Sequence, residues 1–120
     1  MEPKFKFEKL RIWQIAMDYG EDLNEMVLAH FSDREKFNLS SQIMRAVDSV
    51  ALNISEGAIG QSNPEQSRFM GYAIRSLAEV VTCLHKAQRR KYIDEEVFLK
   101  QYDQAFSLMN MMIAFKSKLK

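Results

Sequence analysis

Apolar residues along this chain recur at intervals of three and four, and no stretch alternates strictly enough to read as a half-buried strand. That rhythm predicts four helices. The first runs from about Glu8 to His30, with Trp13, Ala16, Gly20, Leu23 and Val27 on one face. In the second, residues 33–56, Leu39, Ile43, Val47, Val50 and Ile54 fall within roughly 80° of arc at 100° per residue, a stripe that faces a core. The third reads 64–91 and turns Phe69, Tyr72, Ala73, Ser76, Val80, Cys83, Leu84 and Ala87 inward, and the fourth reads 95–118.

Polar residues mark the ends of these segments. Ser32 with Glu35 three positions on is a capping-box pattern that opens the second helix. Gly57 and Gly60 suit its closure through the left-handed backbone that glycine readily takes. Asn63, Pro64 and Gln66 supply a cap, a first-turn proline and a capping-box partner for the third helix. Asp94 caps the fourth, with Glu95 and Glu96 at its positive end, Lys116 and Lys118 at its negative end, and Ile93 and Phe98 placed for a hydrophobic staple. Helices of this length span about 30 to 40 Å, and short links make neighbours antiparallel. The expected fold is all-α: one domain, residues 1–120, folded as an up-down-up-down four-helix bundle.

Composition narrows the function. At 120 residues, 47% apolar and 28% charged, with 4 Gly, 2 Pro and a single cysteine, the chain suits one helical domain in a reducing compartment. No apolar run approaches the ~20 residues of a membrane span, and the start lacks a signal-peptide stretch, so a cytoplasmic location is expected. The two histidines, His30 and His85, form no Glu-x-x-His pair, no P-loop or glycine-rich nucleotide fingerprint occurs, and none of the seven arginines has a histidine five positions later. The expectation is a protein without a catalytic site, a metal or a cofactor. Cys83 lies on the apolar stripe of the third helix and reads as a buried small hydrophobe.

Three surface patterns remain. Gln42, Arg45, Ser49, Asn53 and Glu56 share one flank of the second helix, and Glu79 on the third is a plausible partner for Arg45. Such a seam either fixes helix register through paired polar groups or lines a pocket. Charge is polarised: residues 12–30 carry −4 without a cation, whereas residues 58–93 carry +4. Arg68, Arg75, Lys86 and Arg89 cluster on one side of the third helix, with Arg90 beside them, and these five could track a phosphate backbone or form a solvated face. Met70, Ile74 and Val81 on the third helix lie off its main stripe. On the fourth, Tyr102, Phe106, Met109, Met112 and Ile113 lie beyond the arc of Val97, Leu108 and Phe115. That surplus points to association of copies, a homo-oligomer.

The stretch Leu39-Ser-Ser-Gln42-Ile-Met-Arg45-Ala46-Val-Asp-Ser49-Val-Ala-Leu-Asn53-Ile54-Ser-Glu56-Gly57 resembles the signature of the four-helix bundle family encoded by intervening sequences in 23S ribosomal RNA genes. Trp13, Ala16, Phe31, Glu35, Phe69, Ser76, Leu77 and Glu79 extend the resemblance over nearly the whole chain. It implies a homopentamer around a tapered pore. It also implies kinship with the accessory variability determinant of diversity-generating retroelements, which has a basic surface, binds nucleic acid and associates with a reverse transcriptase. The chain departs from the family pattern at Ser32, at Asn38, where asparagine tolerates the left-handed backbone of the usual glycine, and at Met44, where a second basic residue is usual. The last departure leaves the third helix as the main candidate for RNA or DNA contact as an accessory or scaffold. The alternative is a protein-interaction hub without nucleic-acid contact.

Overall fold

A computed structural model describes residues 1–60 and 62–120 and contains four α-helices, with no strand among the described residues. They are α1 (Arg11–His30), α2 (Leu39–Ala58), α3 (Asn63–Arg89) and α4 (Glu95–Ser117), with short 3-10 turns at Lys6–Lys9 and Asp33–Glu35. Pairings across the interfaces fix the directions. Ser49 meets Ser76 and Gly57 meets Phe69, while Gly71 meets Lys116 and His85 meets Phe98. In each pair of contacts one number rises as the other falls, so α2–α3 and α3–α4 are antiparallel. α2 packs most extensively on α3, and α1 touches α2 and α4, which closes the four helices around one core.

The core is built from the stripes that the spacing sets. Leu39, Ile43, Val47, Val50 and Ile54 of α2 are all at most 1% exposed, as are Ala73, Leu77, Val80 and Leu84 of α3. Other faces are rotated from expectation. In α1 the innermost residues include Ile12, Tyr19 and Met26, while Trp13 and Val27 are half-buried. Tyr19 donates its hydroxyl to the Gln101 carbonyl of α4 at 2.9 Å, so a polar atom can be tolerated inside, and burial pushes the phenol up from its ordinary range. In α3, Tyr72 faces out and Met70 takes the inner place. Cys83 is buried and its thiol is likewise raised by burial.

The helix ends follow local chemistry, with four corrections. The second helix does not open at Ser32. A 3-10 turn intervenes, Ser32 Oγ accepts only from Arg34 N–H at 3.4 Å, and Glu35 turns inward. The glycines do not close α2 through a left-handed backbone, because no described glycine has positive φ. Gly57 lies inside the helix, where a Cβ would come 2.9 Å from Phe69 Cβ, so its role is close approach of α3. The α3 cap is Ser62, accepting from Glu65 N–H, rather than Asn63. Asn38 sits at φ −130°, outside the left-handed region. Asp94 caps α4 as expected, accepting from Val97 N–H at 2.9 Å, and Ile93 and Phe98 are both buried beside it.

Candidate nucleic-acid interface and apolar surfaces

Arg68, Arg75, Lys86 and Arg89 are all exposed on α3. The first and last stand 21 positions apart, about 32 Å at 1.5 Å per residue. Two clefts border this edge. Toward the start of α3, Arg68 and Arg75 share a cleft with Tyr72 and with Lys116 of α4. Further along, Arg75 and Lys86 line a second cleft with Gln42, Glu79 and Cys83. Lys116 thus joins the cationic edge, which α3 alone could not reveal because the residue arrives from another helix. The Arg68 guanidinium lies 5.5 Å from the Phe69 ring centre, a cation–π contact that holds it over the edge.

Arg90 does not belong to that edge. It follows the last turn of α3, and its Nη1 donates to both oxygens of Glu35 at 3.2 Å. This is the one ion pair among the described residues. The Glu35 carboxylate also accepts from the Tyr92 hydroxyl at 2.6 Å, from Asn38 Nδ2 at 3.0 Å and from Leu39 N–H at 3.4 Å. These bonds, the Tyr92 hydroxyl first, hold the carboxyl below its ordinary range against the opposing pull of burial. Glu35 therefore ties the start of α2 to the end of α3. The charge of Arg90 is thus already paired within the chain, although only Nη1 of its fork is used and the side chain is 40% exposed.

The polar seam divides in two. At one end Ser76 Oγ donates to Ser49 Oγ at 2.9 Å, and Asn53 Nδ2 donates to the Ser49 carbonyl and hydroxyl at 2.8 and 3.0 Å. At the other end Gln42, Arg45, Ser49, Ser76 and Glu79 surround an open groove of about 330 Å³. The expected Arg45–Glu79 pair is not formed, since Arg45 Nε instead donates to the Ser41 carbonyl one turn back at 3.4 Å. Glu56 is exposed and outside this groove. Among the described residues no three histidine, cysteine, aspartate or glutamate side chains are placed to hold a metal ion, and no helix is long and apolar enough to cross a membrane.

Of the surplus apolar side chains, Met70 and Met112 are buried, and Ile74, Val81 and Met109 are half-buried. The rest, Tyr102, Phe106 and Ile113, are 36%, 61% and 50% exposed, and Leu99, which the sequence reading did not single out, extends them into a ridge at 45%. A second apolar surface was not foreseen. Phe7, Trp13, Met17 and Leu52 wall a groove of about 470 Å³ between α1 and α2, floored by Ala16, Gly20, Val47 and Ala51. Its residues come from three segments distant in sequence, so no single periodicity discloses it.

A family model described as 23S rRNA-intervening sequence protein matches residues 8–114. Among curated proteins, none matches the chain. A crystal structure of a protein of unknown function from the S23 ribosomal protein family of Bacteroides thetaiotaomicron superposes with a TM-score of 0.80 at 19% identity. The match covers 89% of this chain and 96% of that one, and it establishes likeness of fold.

Proposed function

Because the chain belongs to the 23S rRNA-intervening sequence protein family, whose model spans residues 8–114, we propose that it is an oligomeric helical protein that binds nucleic acid rather than an enzyme. The observation that carries the reading is the row of exposed cations on α3. Arg68, Arg75, Lys86 and Arg89 form no ion pair among the described residues, and they repeat over a length comparable to one turn of a duplex. Free cations at such spacing displace counterions from phosphates, whereas cations already paired within a protein do not. Tyr72, exposed between Arg68 and Arg75, adds a ring on which an unpaired base could stack.

The apolar ridge on α4 supports assembly of copies. Five subunits is the number the family resemblance implies, and repetition of the cationic row around a ring would turn weak contacts into avidity.

Fluorescence anisotropy with labelled RNA and DNA, from low to moderate salt, tests the reading. Binding should weaken linearly on a log–log salt plot, and changing any one of Arg68, Arg75 or Lys86 to alanine should lower the slope by about one. Arg90→Ala should leave that slope unchanged while lowering thermal stability. Absence of binding at low ionic strength, or binding insensitive to salt, removes the proposal.

A further inference from the structure

We propose that copies of this chain join head to tail, the α4 ridge of one copy seating in the α1–α2 groove of the next. The inference rests on the oligomeric reading above and names the surfaces that carry it.

The ridge has the form of a coiled-coil seam. Leu99, Tyr102, Phe106, Met109 and Ile113 follow one another at steps of three, four, three and four residues, so they stand in line along one side of α4. That side leans toward α3: Tyr102 packs edge-on to His85, and Lys116 beyond Ile113 lies against Gly71. The groove is on the opposite side of the molecule, between α1 and α2. Its small floor residues leave depth for large side chains, and at Gly20 the nearest groups to an added Cβ are the Val47 methyls at 3.9 Å. A copy cannot fill its own groove with its own ridge. Each surface is apolar, and its outer residues, Leu99, Phe106 and Ile113 on the ridge and Met17 and Leu52 on the groove, are exposed in the single chain.

Charge selects which surface meets which. Glu21 and Asp48 line the groove, and the outer face of α1 adds Asp18, Asp22 and Glu25 without a cation between residues 12 and 30. The ridge is bordered on its α3 side by the basic edge that includes Arg75 and Lys116. Ridge against groove therefore sets the basic border against the acidic one, which favours encounter and fixes orientation. Ridge against ridge would leave both grooves empty. Groove against groove would oppose Glu21 and Asp48 with their own copies. A contact between two different surfaces leaves one ridge and one groove free in any open chain of copies, so the assembly grows, and it closes as a ring where the rotation between neighbours permits.

Leu52 and Phe106 are 60% and 61% exposed, so charged replacements there can be made without entering the core. Sedimentation of the full chain compares wild type, Leu52→Glu and Phe106→Glu, each alone and the two variants mixed. Wild type should sediment as a multi-subunit species. Each variant alone should be monomeric, because every copy lacks the same half of the contact. The equimolar mixture should give a species of twice the monomer mass and nothing larger, since the Phe106→Glu copy keeps a groove and the Leu52→Glu copy keeps a ridge. Circular dichroism checks that both variants are folded, and Met17→Lys replaces Leu52→Glu should the latter unfold. If Leu52→Glu and Met17→Lys leave the assembly intact while Phe106→Glu dissolves it, the groove assignment is overturned and the oligomeric reading stands. If the mixture remains monomeric, or Phe106→Glu stays assembled, the head-to-tail contact is overturned. A monomeric wild type removes the oligomeric reading itself.

Discussion

Lys91 is the one described residue other than glycine with positive φ, at 64°. It closes α3 in a Schellman arrangement: Lys91 N–H donates to the Gln88 carbonyl at 2.9 Å and Tyr92 N–H to the Ala87 carbonyl at 3.0 Å. A side chain in that region costs ~1 kcal/mol, so Lys91→Gly should raise stability to urea by about 0.5–1 kcal/mol. A loss would show that Lys91 makes a compensating contact. The same turn delivers Arg90 and Tyr92 to Glu35, whose carboxyl is held below its ordinary range. A depressed carboxyl contributes stability above its unfolded pKa, and that contribution is lost as pH falls through the folded value. Thermal midpoints of wild type should therefore fall on acidification from about pH 6 to pH 3 more steeply than those of Glu35→Gln, which should start lower. Equal slopes would remove Glu35 from the linkage. The Ser32-x-x-Glu35 pattern was legible as a cap, but the role Glu35 takes was not, because Arg90 and Tyr92 lie 55 and 57 positions away.

At the level of elements, α2 was the most readable because its innermost residues, Leu39, Ile43, Val47, Val50 and Ile54, occupy one narrow arc. α1 was less so. Ile12, Tyr19 and Met26 compete with Trp13 and Val27, and which set turns inward is decided by where α4 and the 3-10 turn at Lys6–Lys9 pack. Gly57 shows the same limit, since the need for a bare backbone there is imposed by Phe69 and Gln66 of α3. An added methyl would press on Phe69 Cβ at 2.9 Å and the Gln66 carbonyl at 3.3 Å. Gly57→Ala should therefore separate α2 from α3 and destabilise by about 1–3 kcal/mol, despite the better helix propensity of alanine. Gly71 is the control within α3. Its added Cβ would meet only the flexible end of Lys116 at 3.6 Å, so Gly71→Ala should stabilise by about 0.5–1 kcal/mol. Urea unfolding of both variants tests the contrast, and equal signs would refute it.

Across the whole molecule, the polarity read from charge acquires a spatial meaning. Residues 12–30 place their −4 on α1, while the positive residues of 58–93 lie mainly along α3, which α1 does not pack against. The sequence also indicated an excess of apolar surface, but its amount was overstated, because Met70 and Met112 find places in the core, and its second half, the α1–α2 groove, exists only once three segments converge. If the ridge is covered by another copy in solution, folding and association are linked, and stability must depend on how much protein is present. By mass action, each tenfold increase in concentration should then add roughly 1 kcal/mol per subunit, seen as a rising thermal midpoint. Phe106→Glu breaks that link without touching the core, so its midpoint should be lower at high concentration and flat across the series. Differential scanning calorimetry over a hundredfold range separates the cases. A wild-type midpoint that does not move would mean that the ridge stays open to water, and the cationic row on α3 would then have to act from a single subunit without the avidity of a ring.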